Sequence, residues 1–268
     1  MKKKIIIANW KMNLLPGQVE KLTEEILTGL KKSSKDLAKI DIVLAPSFVG
    51  FLGVAKKLWP KSFLKSRLKF PIYLGAQDLF WETKGAFTGE VSPEELKEFG
   101  VSHVIIGHSE RREIFGETDE MVHKKVKAAL EAGIIPIICV GETFEERREG
   151  QKDYVIIRQL SKALEGINLK ASQKIIIAYE PIWVIGSGQA VAPEEAEYVN
   201  RVIYQRMVDL YPWPIVRNNI RIIYGGSVDR ENVKDFVSQE TIDGVLVGGA
   251  SLKADEFVKI AEIIASSS

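Results

Sequence analysis

Eight short apolar segments recur along the chain, most of them rich in β-branched residues: Ile5–Ala8, Ile40–Ala45, Pro71–Gly75, His103–Ile106, Ile134–Val140, Lys174–Tyr179, Ile220–Tyr224 and Gly244–Val247. Their apolar runs are continuous rather than alternating, which predicts strands covered on both faces, the signature of a parallel sheet. Helical spacing fills the intervals. Val19, Leu22, Ile26 and Leu30 share one helix face, as do Val122, Val126, Ala129 and Leu130. Ser92-Pro93-Glu94-Glu95 and Thr143-Phe144-Glu145-Glu146 both read as capping boxes that start helices. The helix after Thr143 opens on charged residues, so its amphipathic part is expected further on.

Strand starts fall 24 to 46 residues apart in a chain of 268, and eight βα units in such a length suit a closed barrel. A doubly wound open sheet is the alternative, because strand number alone does not force closure. The residues that follow the strands favour the barrel. Asn9 and Lys11, Gln77, His108, Cys139, Glu180, Gly225-Gly226-Ser227 and Gly248-Gly249 describe one polar and glycine-rich rim at the C-terminal strand ends. No linker-like or low-complexity stretch divides the chain. The expected architecture is α/β, a single (β/α)8 barrel domain over residues 1–268.

Composition narrows the function classes. Thirty-seven Lys+Arg against 36 Asp+Glu leave a formal charge of +1, so no global field favours nucleic acid or an anionic membrane surface. The aliphatic runs are far shorter than the roughly 20 residues that span a bilayer. The Met1-Lys2-Lys3-Lys4-Ile5-Ile6-Ile7 start resembles an export signal, but Asn9 and Lys11 interrupt its apolar region. A single cysteine, Cys139, excludes an internal disulfide framework and suits a reducing cytoplasm. His103, His108 and His123 lack metal-ligand spacing, so no metal is expected.

The chemistry is expected on the rim. Glu180 ends an apolar strand and precedes Pro181. It is either a partly desolvated general base or a carboxylate paired with a neighbouring cation. His108 stands where a helical turn begins. A helix N-terminus disfavours the imidazolium, so the ring reads as a neutral hydrogen-bond donor or as an ordinary packed histidine. Lys11 suits an anchor for a phosphate or a developing oxyanion. Gly225-Gly226-Ser227 and Gly248-Gly249-Ala250-Ser251 follow the last two strands, where glycine-rich loops bring backbone N–H groups to phosphate. Pro181 to Gly188 is apolar and bounded by Pro and Gly, as a lid would be. Gly186-Ser187-Gly188 begins a dinucleotide fingerprint, but Val191 occupies its third glycine position. No P-loop sequence is present. Lys56–Phe70 carries six cations interleaved with Trp59, Phe63 and Phe70; it reads as a solvated face with packed aromatics, or as a nucleic-acid or membrane patch.

Five motifs then coincide with one family. Asn9-Trp10-Lys11, Ile106-Gly107-His108-Ser109-Glu110-Arg111-Arg112, Ala178-Tyr179-Glu180-Pro181-Ile182-Trp183, Tyr224-Gly225-Gly226-Ser227 and Val247-Gly248-Gly249-Ala250-Ser251 resemble the triosephosphate isomerase family, in order and over residues 4 to 260. The resemblance implies a (β/α)8 barrel that interconverts dihydroxyacetone phosphate and D-glyceraldehyde 3-phosphate without a cofactor. It also implies a homodimer formed through the 75–90 loop. Residue by residue, it implies Glu180 as the base, His108 as the neutral electrophile, and Lys11 and Asn9 as holders of the oxyanion. Glu110 would support Lys11. Gly186, Ser227, Gly248 and Gly249 would bind the substrate phosphate, and Ile185 and Leu246 would cover the reacting atoms. Trp183 and Glu142 would form a pair whose contact changes on loop closure. Asp78 departs from the family's usual Asn, and the Lys56–Phe70 region is longer than the family pattern. Two other readings stay open: another phosphate-binding barrel, such as a Schiff-base aldolase, and a binding protein without turnover.

Overall fold

The computed structural model describes residues 2–59, 70–184 and 190–267. Its strands are β1 Lys4–Asn9, β2 Ile40–Ala45, β3 Ile72–Ala76, β4 His103–Ile106, β5 Ile135–Val140, β6 Ile175–Tyr179, β7 Ile220–Tyr224 and β8 Gly244–Val247. Each pairs with its sequence neighbour, and β1 also pairs in parallel with β8, so the sheet closes in the order β1 to β8. Closure overturns the open-sheet alternative. The two faces of each strand explain the continuous apolar runs. Ile5, Ile7, Val43, Ile105, Ile137, Ile176, Ala178 and Leu246 fill the barrel interior. Their alternate neighbours, among them Ile6, Ala8, Ile42, Leu44, Ile138 and Ile177, join the larger core beneath the helices.

The helices obey their start signals. Ser92 caps Pro93–Glu98 through its side chain, and the reciprocal Glu95 contact completes the box. Thr143 and Glu146 form the same arrangement at the head of Phe144–Arg148. One expectation is refined here. The segment after Thr143 is two helices, the second running Lys152–Ala163, with Gly150 at φ 73° between them. The first buries no residue, while the second buries Val155, Ile156 and Leu160 against the barrel. Cys139 also moves from its expected place: it lies inside β5 as a fully buried member of the inner core, not on the rim.

Two lysines fasten the N-terminal strand. Lys4 Nζ donates to the carbonyls of Val237 and Ile242 at 2.7 and 3.0 Å, and Lys2 Nζ donates to those of Val216 and Ile220. Lys56 and Lys57, the first cations of the basic region, pair with Glu20 and Glu24. Residues 60–69 of that region lie outside the described residues. No helix among the described residues is long and apolar enough to cross a membrane.

Candidate active site

The chain turns sharply where β4 ends. Gly107 adopts φ 72°, and a Cβ there would meet Val122 Cγ2 at 2.9 Å, so the position needs glycine twice over. The turn makes His108 the N-cap of the helix Ser109–Phe115. Its Nδ1 accepts the Glu110 N–H at 3.2 Å. A nitrogen that accepts carries no proton, so the ring proton sits on Nε2. Nε2 points at Glu180, whose Oε1 is 3.4 Å away.

Glu180 follows β6 and is 1% exposed. Its backbone N–H bonds Val140 O at 2.8 Å, and its Oε2 accepts the Ser109 N–H at 3.1 Å. Oε1 makes no hydrogen bond among the described residues although it is buried. A buried acceptor without a donor is costly, and at this place it is aimed at the one ring nitrogen that bears a proton. Glycines make room for the carboxylate. A Cβ on Gly141 would lie 1.7 Å from Glu180 O, and one on Gly225 would lie 2.9 Å from Glu180 Cγ. Cys139 packs alongside, and burial, with the Glu180 charge adding to it, raises its thiol pKa well above the ordinary value. It stays a packed thiol rather than a nucleophile.

Lys11 follows β1 with φ 50°, the left-handed region, which a non-glycine residue enters at a cost of about 1–2 kcal/mol. Asn9 Oδ1 accepts the Lys11 N–H at 3.1 Å, and Gln77 Nε2 donates to Lys11 O at 3.0 Å. The ammonium reaches Glu110 Oε1 at 2.7 Å. Sequence spacing gave no reason for Gln77 beyond its place on the rim; its role is to hold the strained turn.

Asn9, Lys11, His108, Ser227, Leu246, Gly248 and Gly249 line one cavity of about 210 Å³, together with Gly225, Gly226, Val228 and Ala250. Space is open where a Cβ of Gly249 would stand, and a Cβ of Gly248 would reach only the end of the Lys11 side chain, Cε at 3.7 Å and Nζ at 4.0 Å. The turn is braced from behind: Ser251 Oγ donates to Gly248 O at 2.6 Å, and Trp10 Nε1 donates to Ser251 O at 3.1 Å. Glu180 is not on this wall but reaches it through His108. Gly186 and Ile185 lie outside the described residues. Both flanks of that stretch are tied down. Trp183 Nε1 donates to Glu142 at 3.0 Å, as does Tyr179 Oη at 3.2 Å. On the far side the Val191 N–H reaches Tyr224 Oη at 3.4 Å. Arg147 stacks on Trp183 and pairs with Glu195. Burial raises the pKa of Glu142 against these stabilising donors.

A buried charge cluster escaped the sequence reading. Lys125 contacts Asp78 at 2.7 Å and Glu117 at 3.0 Å, while Arg111 contacts the same two carboxylates at 2.9 and 2.5 Å. Asp78 is thus buried beneath the loop rather than presented on its surface. Burial, offset by Lys125, pushes its pKa to about 6. Glu117 also accepts the Gly107 N–H at 3.2 Å, so the cluster joins the loop after β3 to the turn that carries His108. The available signal was Lys125 itself, a cation between Val122 and Ala129 on an apolar helix face.

Comparison with known proteins points to one family. The model of the triosephosphate isomerase family matches residues 4–264. The triosephosphate isomerase of Thermoanaerobacter sp. is 45% identical over 260 residues, covering 97% of this chain and 99% of that one. That of Dictyoglomus turgidum is 46% identical over 257 residues, covering 96% and 98%. The crystal structure of the Bartonella henselae triosephosphate isomerase superposes with a TM-score of 0.81 at 33% identity, covering 97% of this chain and 98% of that one.

Proposed function

The chain belongs to the triosephosphate isomerase family, and on that premise we propose that Glu180, His108, Lys11 and Asn9 carry its reaction at the rim cavity. The reaction is the interconversion of dihydroxyacetone phosphate and D-glyceraldehyde 3-phosphate, an aldose–ketose isomerisation that serves glycolysis. The carbon skeleton and phosphate are unchanged. One proton leaves the carbon beside the carbonyl and one returns to the former carbonyl carbon, while the hydroxyl proton passes from the first carbon's oxygen to the second's.

Removing that proton places a negative charge on the carbonyl oxygen of an enediolate. A base must therefore act together with donors to the oxygen. Glu180 is the base, with Oε1 as the free acceptor. Its second oxygen must leave the Ser109 N–H as the carboxylate moves onto the substrate carbon. His108 donates from Nε2, the nitrogen that bears the proton, and the helix turn fixes that tautomer through Nδ1. Lys11, clamped by Glu110 and Gln77, supplies fixed positive charge, and Asn9 supplies a further polar contact. A positioned base contributes roughly 10²–10⁴-fold and each oxyanion donor about 10²–10³-fold. Neither kind of group suffices without the other. Gly186, Ser227, Gly248 and Gly249 hold the phosphate, and the 181–188 segment serves as the lid that excludes water, which protects the enediolate from losing its phosphate.

The carrying observation is the 3.4 Å approach of Glu180 Oε1 to His108 Nε2, with that oxygen otherwise unpartnered. The aldolase alternative wants a lysine at the C-terminal end of a late strand. At β6 the lysine, Lys174, precedes the strand, and Glu180 occupies the other end. The test is interconversion of the two triose phosphates by purified protein and by Glu180→Gln. Turnover should fall by orders of magnitude in the variant, with substrate binding kept. Turnover that survives removes Glu180 as the base, and absence of turnover in the parent leaves a binding protein.

The protein is further read as one barrel domain that works as a cytoplasmic homodimer. The 75–90 loop supports the dimer. Phe80 packs on Trp81 and Phe87 at ring distances of 4.1 and 4.6 Å, yet Phe87 remains 43% exposed. Met12, Ile114 and Phe115 are exposed on other segments of the same rim. Apolar side chains gathered on one rim suit contact with a second copy of the chain. A buried lone thiol suits a reducing compartment.

A further inference from the structure

The other end of the barrel holds a larger cavity that the isomerisation does not use. It measures about 470 Å³, against about 210 Å³ for the rim cavity. It opens between the N-terminal ends of the strands. His103 and His108 make the separation concrete: they stand at opposite ends of β4, about 16 Å apart at the rise of an extended chain.

Lys2, Lys3, Lys174 and Arg221 line it, against a single lining carboxylate, Asp41. Not all of this charge is free. Lys2 is spent on the carbonyls of Val216 and Ile220, and Asp243 lies 3.8 Å from it. Arg221 donates one N–H to Asp41 at 2.6 Å, and its other donors have no partner among the described residues. Lys3 and Lys174 make no ion pair with any described residue. Three groups with unused positive charge or donors therefore converge on one concavity.

The floor differs from an ordinary solvated surface. His103 is 4% exposed, and its ring lies 5.4 Å from that of Tyr73 at a tilt of 57°. Its Nδ1 is 2.8 Å from Ser102 Oγ, which also reaches Leu74 O at 3.3 Å. Nε2 has no hydrogen-bond partner among the described residues. Burial first, and then the charges of Arg221 and Lys174, lower the His103 pKa to about 3, so the ring is neutral and offers a hydrogen bond rather than a charge. One sign of charge around a recess with low-dielectric walls concentrates anions there. An exposed lysine face has no such recess.

We infer that this cavity is a second anion site, which takes a small phosphorylated metabolite. Its phosphate is held by Lys3, Lys174 and the free side of the Arg221 guanidinium, and its body lies on Tyr73 and His103. The planar guanidinium suits phosphate oxygens, and the volume admits more than a bare phosphate. The site is independent of the catalytic reading, since none of its residues borders the rim cavity.

The experiment uses inorganic pyrophosphate as the probe and the histidine ring resonances as the readout, in nitrogen-15-labelled protein. His108 reports the rim cavity and His103 the second site, so the two are separated in one titration. The expected result is a saturable shift of His103, weakened at least about 10-fold in a Lys3→Glu/Lys174→Glu variant while the His108 curve stays in place. Both lysines are exposed, and an unchanged circular dichroism spectrum verifies that the variant is folded. The His103 affinity should also fall steeply as sodium chloride is raised. The inference is overturned if His103 stays still while His108 saturates. It is equally overturned if the double variant leaves the His103 curve where it was, or if sodium chloride at matched ionic strength moves His103 as pyrophosphate does.

Discussion

Gly225→Ala tests whether the position of the carboxylate, and not merely its presence, sets the rate. The added Cβ would stand 2.9 Å from Glu180 Cγ and 3.3 Å from Tyr179 O. Carbon atoms pack at about 3.5–4.0 Å, so the first contact is short by about 0.6–1.1 Å. Tyr179 O cannot yield, because it is backbone in β6 and accepts the Gly225 N–H at 2.8 Å. The Glu180 side chain has to give instead. Moving it disturbs both the 3.4 Å approach to His108 and the 3.1 Å contact with the Ser109 N–H. A misplacement of about 1 Å costs on the order of 100-fold in rate, or about 2.7 kcal/mol of barrier. The assay is kcat and KM for both triose phosphates. We expect kcat to fall by about two orders of magnitude with KM little changed, because the glycines at 248 and 249 are untouched. A kcat within about threefold of the parent, in protein that keeps its circular dichroism and melting temperature, refutes the reasoning. A raised KM at constant kcat would reassign Gly225 to phosphate binding.

Two further outcomes follow from other parts of the structure. Asp78 has its pKa raised from 3.8 to about 6, chiefly by burial, so its contribution to stability is fully present below about pH 4 and is lost as pH rises through about 6. Relative to Asp78→Asn, the parent should therefore gain up to about 3 kcal/mol between pH 7 and pH 4, measured by denaturant unfolding at fixed protomer concentration. A difference that is flat, or that slopes the other way, would mean that the contacts with Lys125 and Arg111 outweigh burial. Phe87→Glu places a charge on the exposed ring of the 75–90 loop, and sedimentation should report about 30.0 kDa for the variant against twice that for the parent; a parent that sediments as a monomer removes the dimer.

What the sequence made legible, and what it hid, divides along physical lines. Strands β2, β4, β7 and β8 match their expected bounds, because residues covered on both faces are apolar, and the polar exceptions Asp41, His103 and Arg221 stand only at the first or second position, where the strand end opens to the cavity. Lys174, Pro71 and Ile134 border strands without joining them, since the chemistry that fits a strand also fits its approach. His108, Glu180 and Lys11 could be read together because barrel closure puts every C-terminal strand end on one rim, so position in the repeat stands in for position in space. Nothing comparable announces the Asp78–Glu117–Lys125–Arg111 cluster. Its members come from two loops and two helices, and Lys125 alone, a cation on an apolar helix face, departs from the look of an ordinary surface charge.

That hidden cluster bears on why the legible residues can work. The His108 tautomer depends on a turn at Gly107, and the Gly107 N–H is held by Glu117. Glu117 keeps its charge because Lys125 and Arg111 outweigh its burial, which leaves its pKa lowered. Asp78, sharing the same two cations, lies in the loop directly after Gln77, which holds the strained Lys11 turn. His108 and Lys11, the proposed donor and cation, are thus supported from a common base of buried charge. Such a base adds little stability, since desolvation offsets much of the attraction. What it fixes is relative position, and the reaction depends on that: an oxyanion donor displaced by 1 Å loses most of its effect. The rim motifs mark the groups proposed to react, and the buried cluster, marked in the sequence by Lys125 alone, holds two of them in register.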